Sequence, residues 1–192
     1  PTNVISITDG QIFLESELFN AGIRPAINAG LSVSRVGGSA QVKAMKKIAG
    51  PVRIELAKYR ELAAFSQFGS DLDKDTMERL AQGERITEIL KQVQYKPMPV
   101  WHQIMILYMV VNKYMADVAV EKLSLFQTEF LSFVDTQYPE ISQELKKNGE
   151  LDKALEQKLI TAMEKLKADF SAERGNTMAS TIDIKGRIRR VK

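Results

Sequence analysis

QVKAMKKIAGPVRIELAKYRELAAFSQF, residues 41–68, is the stretch where the chain changes its periodicity. Val42, Met45 and Ile48 recur at three-residue steps, and Val52, Leu56, Tyr59, Leu62, Phe65 and Phe68 follow at steps of three and four. Side chains so spaced share one face, which predicts an amphipathic helix buried along that face. Gly50–Pro51 is expected to break or kink it, since proline brings no N–H and its ring crowds the preceding turn. Gly69 fits a C-terminal stop, and Ser70 or Asp71 the start of the next turn.

Downstream the helical period persists. Asp75–Gln82 predicts a short helix ended by Gly83, and Glu84–Lys91 another closed before Pro97. Pro99–Ala116 is apolar on most sides, with Trp101, Ile104, Leu107, Tyr108, Val111 and Met115 inward, as in the central helix of a bundle. Lys122–Tyr138 adds Leu123, Phe126, Phe130, Phe133 and Val134, and a short segment, Pro139–Lys147, ends near Asn148–Gly149. Leu151, Leu155, Leu159, Met163, Leu166 and Phe170 form the last stripe, which Gly175–Asn176 breaks.

Upstream the pattern is different. Val4–Thr8 is short, β-branched and apolar on both sides of Ser6, which predicts a buried strand of a parallel sheet. Asp9–Gly10 predicts a turn, Ile12–Phe13 a second apolar stretch, and Asn20–Gly30 a loop. Leu31–Ser34 is expected to be one more strand leading into Gly37 and Gly38. The fold expected is therefore mixed: an α/β edge over residues 1–45, an all-α bundle over 46–175, and a basic tail over 176–192.

Composition narrows the function. The chain has no cysteine, so disulfides and thiolate chemistry are excluded, and no apolar run approaches the ~18–20 residues that span a bilayer. No signal peptide is apparent. Five basic residues and one acid in 178–192 give that tail +4, so the 177 residues before it carry −1 of the net +3. The basicity belongs to the tail and is therefore no argument for nucleic-acid binding by the body. His102 is the only histidine, which leaves a His/Cys metal site unsupported; it is expected to be a helix-surface or packing residue beside Trp101. The eight methionines are expected to fill the bundle. Ser32, Ser34 and Ser39 have no G-x-S-x-G elbow around them.

SVSRVGGSAQ, residues 32–41, sets a cation among small residues and two glycines. Arg35 offers a planar fork of donors suited to phosphate, and Gly37 and Gly38 allow close backbone approach. Yet no G-x-x-x-x-G-K-[ST] loop occurs in the chain. The arginine thus suits a nucleotide held by another molecule.

The whole constellation resembles a known family. PTNVISITDGQIFL (1–14), NAGIRPAINAGLSVSRVGGSAQVKAMK (20–46), FGSDLD (68–73) and TEILKQVQYKPMPV (87–100) are similar to the alpha subunit of F-type ATP synthases. The likeness continues more loosely to about Arg174. It implies that the first forty-odd residues are the end of a P-loop-type α/β domain, with the P-loop and the magnesium-binding strand before Pro1. The chain is expected to be a C-terminal piece of a longer protein. MASTIDIKGRIRRVK (178–192) resembles instead the start of the gamma subunit of that enzyme and is expected to be a frayed tail without rotary function.

The resemblance implies specific roles. Arg35 would act in trans as an arginine finger on an adjacent beta subunit, a contribution of roughly a thousandfold or more in P-loop NTPases generally. Ser6 and Gly10 would lie in the same phosphate region at the subunit interface. Arg24 and Pro25 would flank the base of a nucleotide bound but not hydrolysed, with Gln92 and Gln94 opposite. Val93 stands where the family usually carries glycine. ATP or ADP with Mg2+ would be the cofactor of the intact complex, whose metal ligands lie outside this stretch. The partners implied are beta and gamma subunits in an alternating hexameric ring, with the other peripheral subunits. The expected location is the cytoplasmic face of the bacterial inner membrane, reached only through the complex. Alone, the chain is expected not to hydrolyse ATP, and Arg35 to be an idle, solvated cation. The rival reading is a helical-bundle binding module whose basic tail contacts RNA or anionic lipid.

Overall fold

A computed structural model describes residues 2–66 and 73–169, with only the backbone described for Thr2 and Ser6. The elements are α1 (Thr2–Ile7), β1 (Gly10–Gln11), α2 (Ser16–Asn20), β2 (Val33–Ser34), α3 (Gly37–Ala40), α4 (Lys43–Ser66), α5 (Lys74–Ile89), α6 (Val100–Val111), a 3-10 turn (Val120–Lys122), α7 (Leu123–Gln137) and α8 (Pro139–Asn148). A last helix, α9, covers residues 153–169.

Helices α4 to α9 form the expected bundle. α4 packs on α5 and α6, α5 on α6 and α7, and α8 on α6 and α7. α6 buries Ile104, Met105, Ile106, Met109 and Val110, a set that runs around the helix and so marks its centre. Phe126 and Phe130 of α7, Ile141 of α8, and Leu159 and Met163 of α9 close around it. Met45, Met105, Met109, Met115 and Met163 are all buried, as expected of methionine used to fill a core. Pro139 opens α8, Lys146 and Lys147 lie at its negative end, and Gly149 ends it at φ 64°. That turn also anchors α4: the Ala44 N–H donates to the Gly149 carbonyl at 2.9 Å, and Lys43 pairs with Glu150.

Two local expectations give way to packing. α4 runs unbroken through Pro51. Ile48 and Val52 on either side of it are both buried, and their burial outweighs the proline penalty of about 3 kcal/mol. Gly50 contributes by lacking the Cβ that a following proline ring crowds. Nor does Gly83 end a helix, because α5 is continuous from Lys74 to Ile89. A Cβ on Gly83 would stand 2.3 Å from the Tyr59 side chain, so this glycine is where α4 and α5 approach closely. The buried stripe of α4 also stops early: Leu56 is buried, whereas Phe65 is 73 % exposed. Asp73 caps α5, its carboxylate accepting from the Thr76 N–H at 2.9 Å. Phe68, Gly69, Ser70, Asp71, Phe170, Gly175, Asn176 and the 178–192 tail lie outside the described residues.

The N-terminal region departs most from expectation. Val4–Thr8 does not form a buried strand: Thr2–Ile7 is helical, and Ile7 is 84 % exposed. A parallel strand takes its hydrogen bonds from neighbouring strands, and among the described residues none lies beside this one. The segment closes its bonds locally instead, the Thr8 N–H and Oγ1 both donating to the Val4 carbonyl at 3.0 Å. The sheet among the described residues is one antiparallel ribbon, pairing Gly10 with Ser34 and Gln11 with Val33. An isolated bridge joins Leu14 to Ile27. The chain is thus mostly helical. Among the described residues no helix is long and apolar enough to cross a membrane.

Candidate functional site

Arg24 and Gln92 stand far apart in sequence, yet they meet. The Gln92 N–H donates to the Arg24 carbonyl at 2.8 Å, joining the loop after α2 to the loop after α5. Between them opens a cleft of about 1110 Å³, lined among others by Glu15, Phe19, Arg24, Pro25, Gln92 and Gln94. All four residues expected to hold a base therefore share one wall system. The Arg24 guanidinium lies 4.1 Å from the centroid of the Phe19 ring, a cation–π contact that holds the arginine along the cleft. Pro25 adds an apolar face, and the Arg24–Pro25 peptide is cis. Glutamine side chains both donate and accept, as an adenine edge requires.

The Gln92–Gln94 loop needs no glycine at its centre. Tyr95 takes the left-handed conformation, at φ 61°, and Val93 does not. Val93 itself lines the cleft, and at 69 % exposed its side chain is accommodated at the surface of that wall. Lys96 and Arg24 place two cations on the cleft wall against Glu15.

The second cluster surrounds Arg35, and none of its members lines the cleft. Gly10 pairs with Ser34, which brings Gly10 and Arg35 together. Gly10 has φ 143°, and a Cβ there would stand 2.0 Å from the Val33 carbonyl oxygen, so only glycine fits. Ser6 sits on α1, one turn before this ribbon. Arg35 is exposed but not idle. Its N–H donates to the Asp9 carbonyl at 2.8 Å, and its guanidinium donates to the Thr8 carbonyl. Arg35 is thus the exposed cation expected, with a backbone carbonyl as one local partner.

Two positioning residues escaped the sequence reading. The Asp9 carboxylate accepts from the Val36 N–H at 2.7 Å and from the Ser34 hydroxyl, which in turn accepts from the Gly37 N–H at 2.7 Å. The Ser34 hydroxyl first, then the Val36 amide, hold the Asp9 carboxyl below its ordinary range, and the Arg35 charge adds to them. Asn28 is the other, a buried polar side chain reached by Glu15 and by Arg60 of α4. One signal was available for it: a lone amide in Pro25–Leu31, an otherwise small and apolar run.

His102 behaves as expected of a packing residue. Its ring meets Trp101 edge-on at 6.0 Å, and its Nε2 lies 2.9 Å from Asp135 without hydrogen-bond alignment. Among the described residues no group of three His, Cys, Asp or Glu side chains could hold a metal ion.

Comparison with known proteins accounts for both halves of the chain. Residues 41–166 match the family described as ATP synthase alpha/beta chain, C terminal domain. Residues 1–34 match the ATP synthase alpha/beta family, nucleotide-binding domain. The "ATP synthase subunit alpha" of Clostridium acetobutylicum is 60 % identical over 173 residues, which is 90 % of this chain and 34 % of that protein. The protein of the same name from Syntrophomonas wolfei is 58 % identical over 171 residues, 89 % of this chain and 34 % of that protein. That of Clostridium botulinum strain Langeland is 58 % identical over 173 residues, again 90 % and 34 %. The chain thus spans about a third of the length of the curated relatives it matches.

Proposed function

The chain belongs to the ATP synthase alpha/beta family, and on that premise we propose that it forms the C-terminal part of an alpha subunit in the catalytic head of a rotary ATP synthase. In this reading residues 1–45 complete a nucleotide-binding domain and 46–175 are a helical domain. The cleft takes the adenine base of ATP or ADP, held without hydrolysis. One observation carries this: Arg24–Pro25 and Gln92–Gln94 face one cleft and are joined by the 2.8 Å bond between their backbones. The apolar face of Pro25 and the glutamine amides fit a purine.

Arg35 serves a different nucleotide. It lends its charge to the γ-phosphate on an adjacent beta subunit, with Ser6 and Gly10 beside it at the interface. The hydrogen bonds of Asp9 and Thr8 support this by fixing the segment on which Arg35 sits. Mg2+ would be held by residues beyond this stretch. The partners are beta and gamma subunits in an alternating ring, peripheral on the cytoplasmic face of the membrane. Residues 178–192 are a gamma-like tail with no rotary role.

The test is the assembled complex carrying Arg35→Ala. Multisite turnover is expected to fall by roughly a thousandfold, while occupancy of the Arg24 cleft by MgADP is unchanged. Turnover near wild type contradicts the assignment of Arg35. Salt-sensitive binding of RNA or anionic vesicles that disappears with residues 178–192 would favour the binding-module reading instead.

A further inference from the structure

Asn28 stands between the cleft and the segment that carries Arg35. It is 9 % exposed. Its Nδ2 donates to Glu15 Oε1 at 2.6 Å, and Glu15 lines the cleft. Its Oδ1 accepts from the Gly30 and Leu31 amides at 2.9 and 3.1 Å, and from Arg60 Nη1 at 2.6 Å. Its own N–H donates to the Phe13 carbonyl at 2.8 Å. Its carbonyl accepts from the Ser32 N–H at 3.0 Å and the Ser32 hydroxyl at 2.6 Å. That hydroxyl accepts in turn from the Phe13 N–H at 3.0 Å.

We propose that Asn28 is a positioning residue that couples occupancy of the cleft to the posture of Ser32–Gly37, the segment bearing Arg35. The inference rests on the nucleotide reading of the cleft. An amide has one end that only donates and one that only accepts. Here the donating end holds a wall of the cleft, and the accepting end holds the two amides that lead into Ser32. Arg60, fixed on the long helix α4, pins the oxygen between them. A base that draws Glu15 toward itself loads the Nδ2 bond, and the pinned amide turns rather than translates. The turn is felt at Gly30 and Leu31. From there Val33 and Ser34 pair with β1 and Arg35 follows directly, bonded to Asp9. The route runs by hydrogen bonds from Glu15 through Asn28 to Gly30, Leu31 and Ser32, and from there along the backbone to Arg35, a contiguous physical connection between the two sites.

The experiment is amide exchange at Val33–Gly37 in the full 192-residue chain, with and without saturating MgADP. Wild type is expected to change exchange there by about fivefold or more, the lower end of measured couplings. Asn28→Asp keeps the acceptor for Gly30, Leu31 and Arg60 but sets a carboxylate against Glu15. It is expected to bind MgADP and lose the response. Adding Glu15→Gln restores the bond with the donor reversed, and the response is expected to return. Glu15→Ala cuts the same bond without touching Asn28, and is expected to lose the response even where the Asn28 variant fails to fold. A merely structural Asn28 would lower the unfolding midpoint of the aspartate variant yet leave the MgADP-induced change intact, which overturns the proposal. Saturable MgADP binding with no change at Val33–Gly37 in wild type overturns the coupling alone. No saturable MgADP binding in wild type overturns the nucleotide reading, and the coupling with it.

Discussion

Residues 2–40 and the helices that follow hold their shape by different means. In the bundle, Ile104, Met105, Met109, Phe126, Phe130, Leu159 and Met163 are fully buried, each giving up water-exposed apolar area worth about 25 cal/mol per Å². In the N-terminal region Val4, Ile7, Ile12, Phe13 and Leu14 all face outward, and Ala26 is the apolar side chain buried there among the described residues. What fixes this region is polar: Asp9 holding Ser34 and Val36, and Asn28 holding Glu15, Gly30, Leu31 and Arg60. Burial is non-directional and tolerates small displacements, whereas these bonds are directional and specify where one segment lies against another. The candidate site is built on the second kind of support, and among the described residues its wall from the bundle side is the loop after α5.

The comparison can be broken by perturbing each region in its own terms. Phe130→Ala removes a fully buried ring and is expected to cost about 3–5 kcal/mol in denaturant unfolding. A loss below about 1 kcal/mol would mean that the bundle is not packed around α7. Gly83→Ala is a sharper probe because two rules oppose each other. Helix propensity alone favours alanine by about 1 kcal/mol. The contact with Tyr59 costs about 1–3 kcal/mol by overpacking, which leaves a net loss of up to about 2 kcal/mol. A stabilised variant would refute the close approach of α4 and α5.

The smallest effect belongs to the N-terminal region. Asp9 is depressed in the folded chain, so its contribution is fully present above the ordinary carboxylate range and is lost as pH falls through the lowered value. The Val36 amide chemical shift is expected to titrate at that lowered value while the fluorescence of Trp101, set in the bundle, stays flat. A Val36 shift that titrates at an ordinary carboxylate pKa would remove the Asp9 bonds from the account. Asp9→Asn should abolish the titration.

The same division decides what could be read from the residues. The stripes of Ile104, Phe126, Phe130, Leu155 and Leu159 were legible because a buried face repeats at the helical period. Pro51 and Gly83 were misread because their local rules lose to the burial of Ile48, Val52 and Tyr59's neighbours around them. Val4–Thr8 was misread because a strand depends on neighbours that its own composition does not supply. The Asp9 and Asn28 bonds join residues up to 32 positions apart and leave no periodic trace. Arg24, Pro25, Gln92 and Gln94 were named through family likeness, not through any pattern of their own. Their convergence on one cleft is what the fold adds.

The most direct test of the central claim is calorimetric titration of MgADP into the 192-residue chain and its Gln92→Ala/Gln94→Ala variant. The account predicts saturable binding to wild type, and a loss in the variant of roughly ten- to thirtyfold, at about 1 kcal/mol for each amide removed. It also predicts that Arg35→Ala, outside the cleft, binds as wild type does. Equal affinity in wild type and the glutamine variant would contradict it.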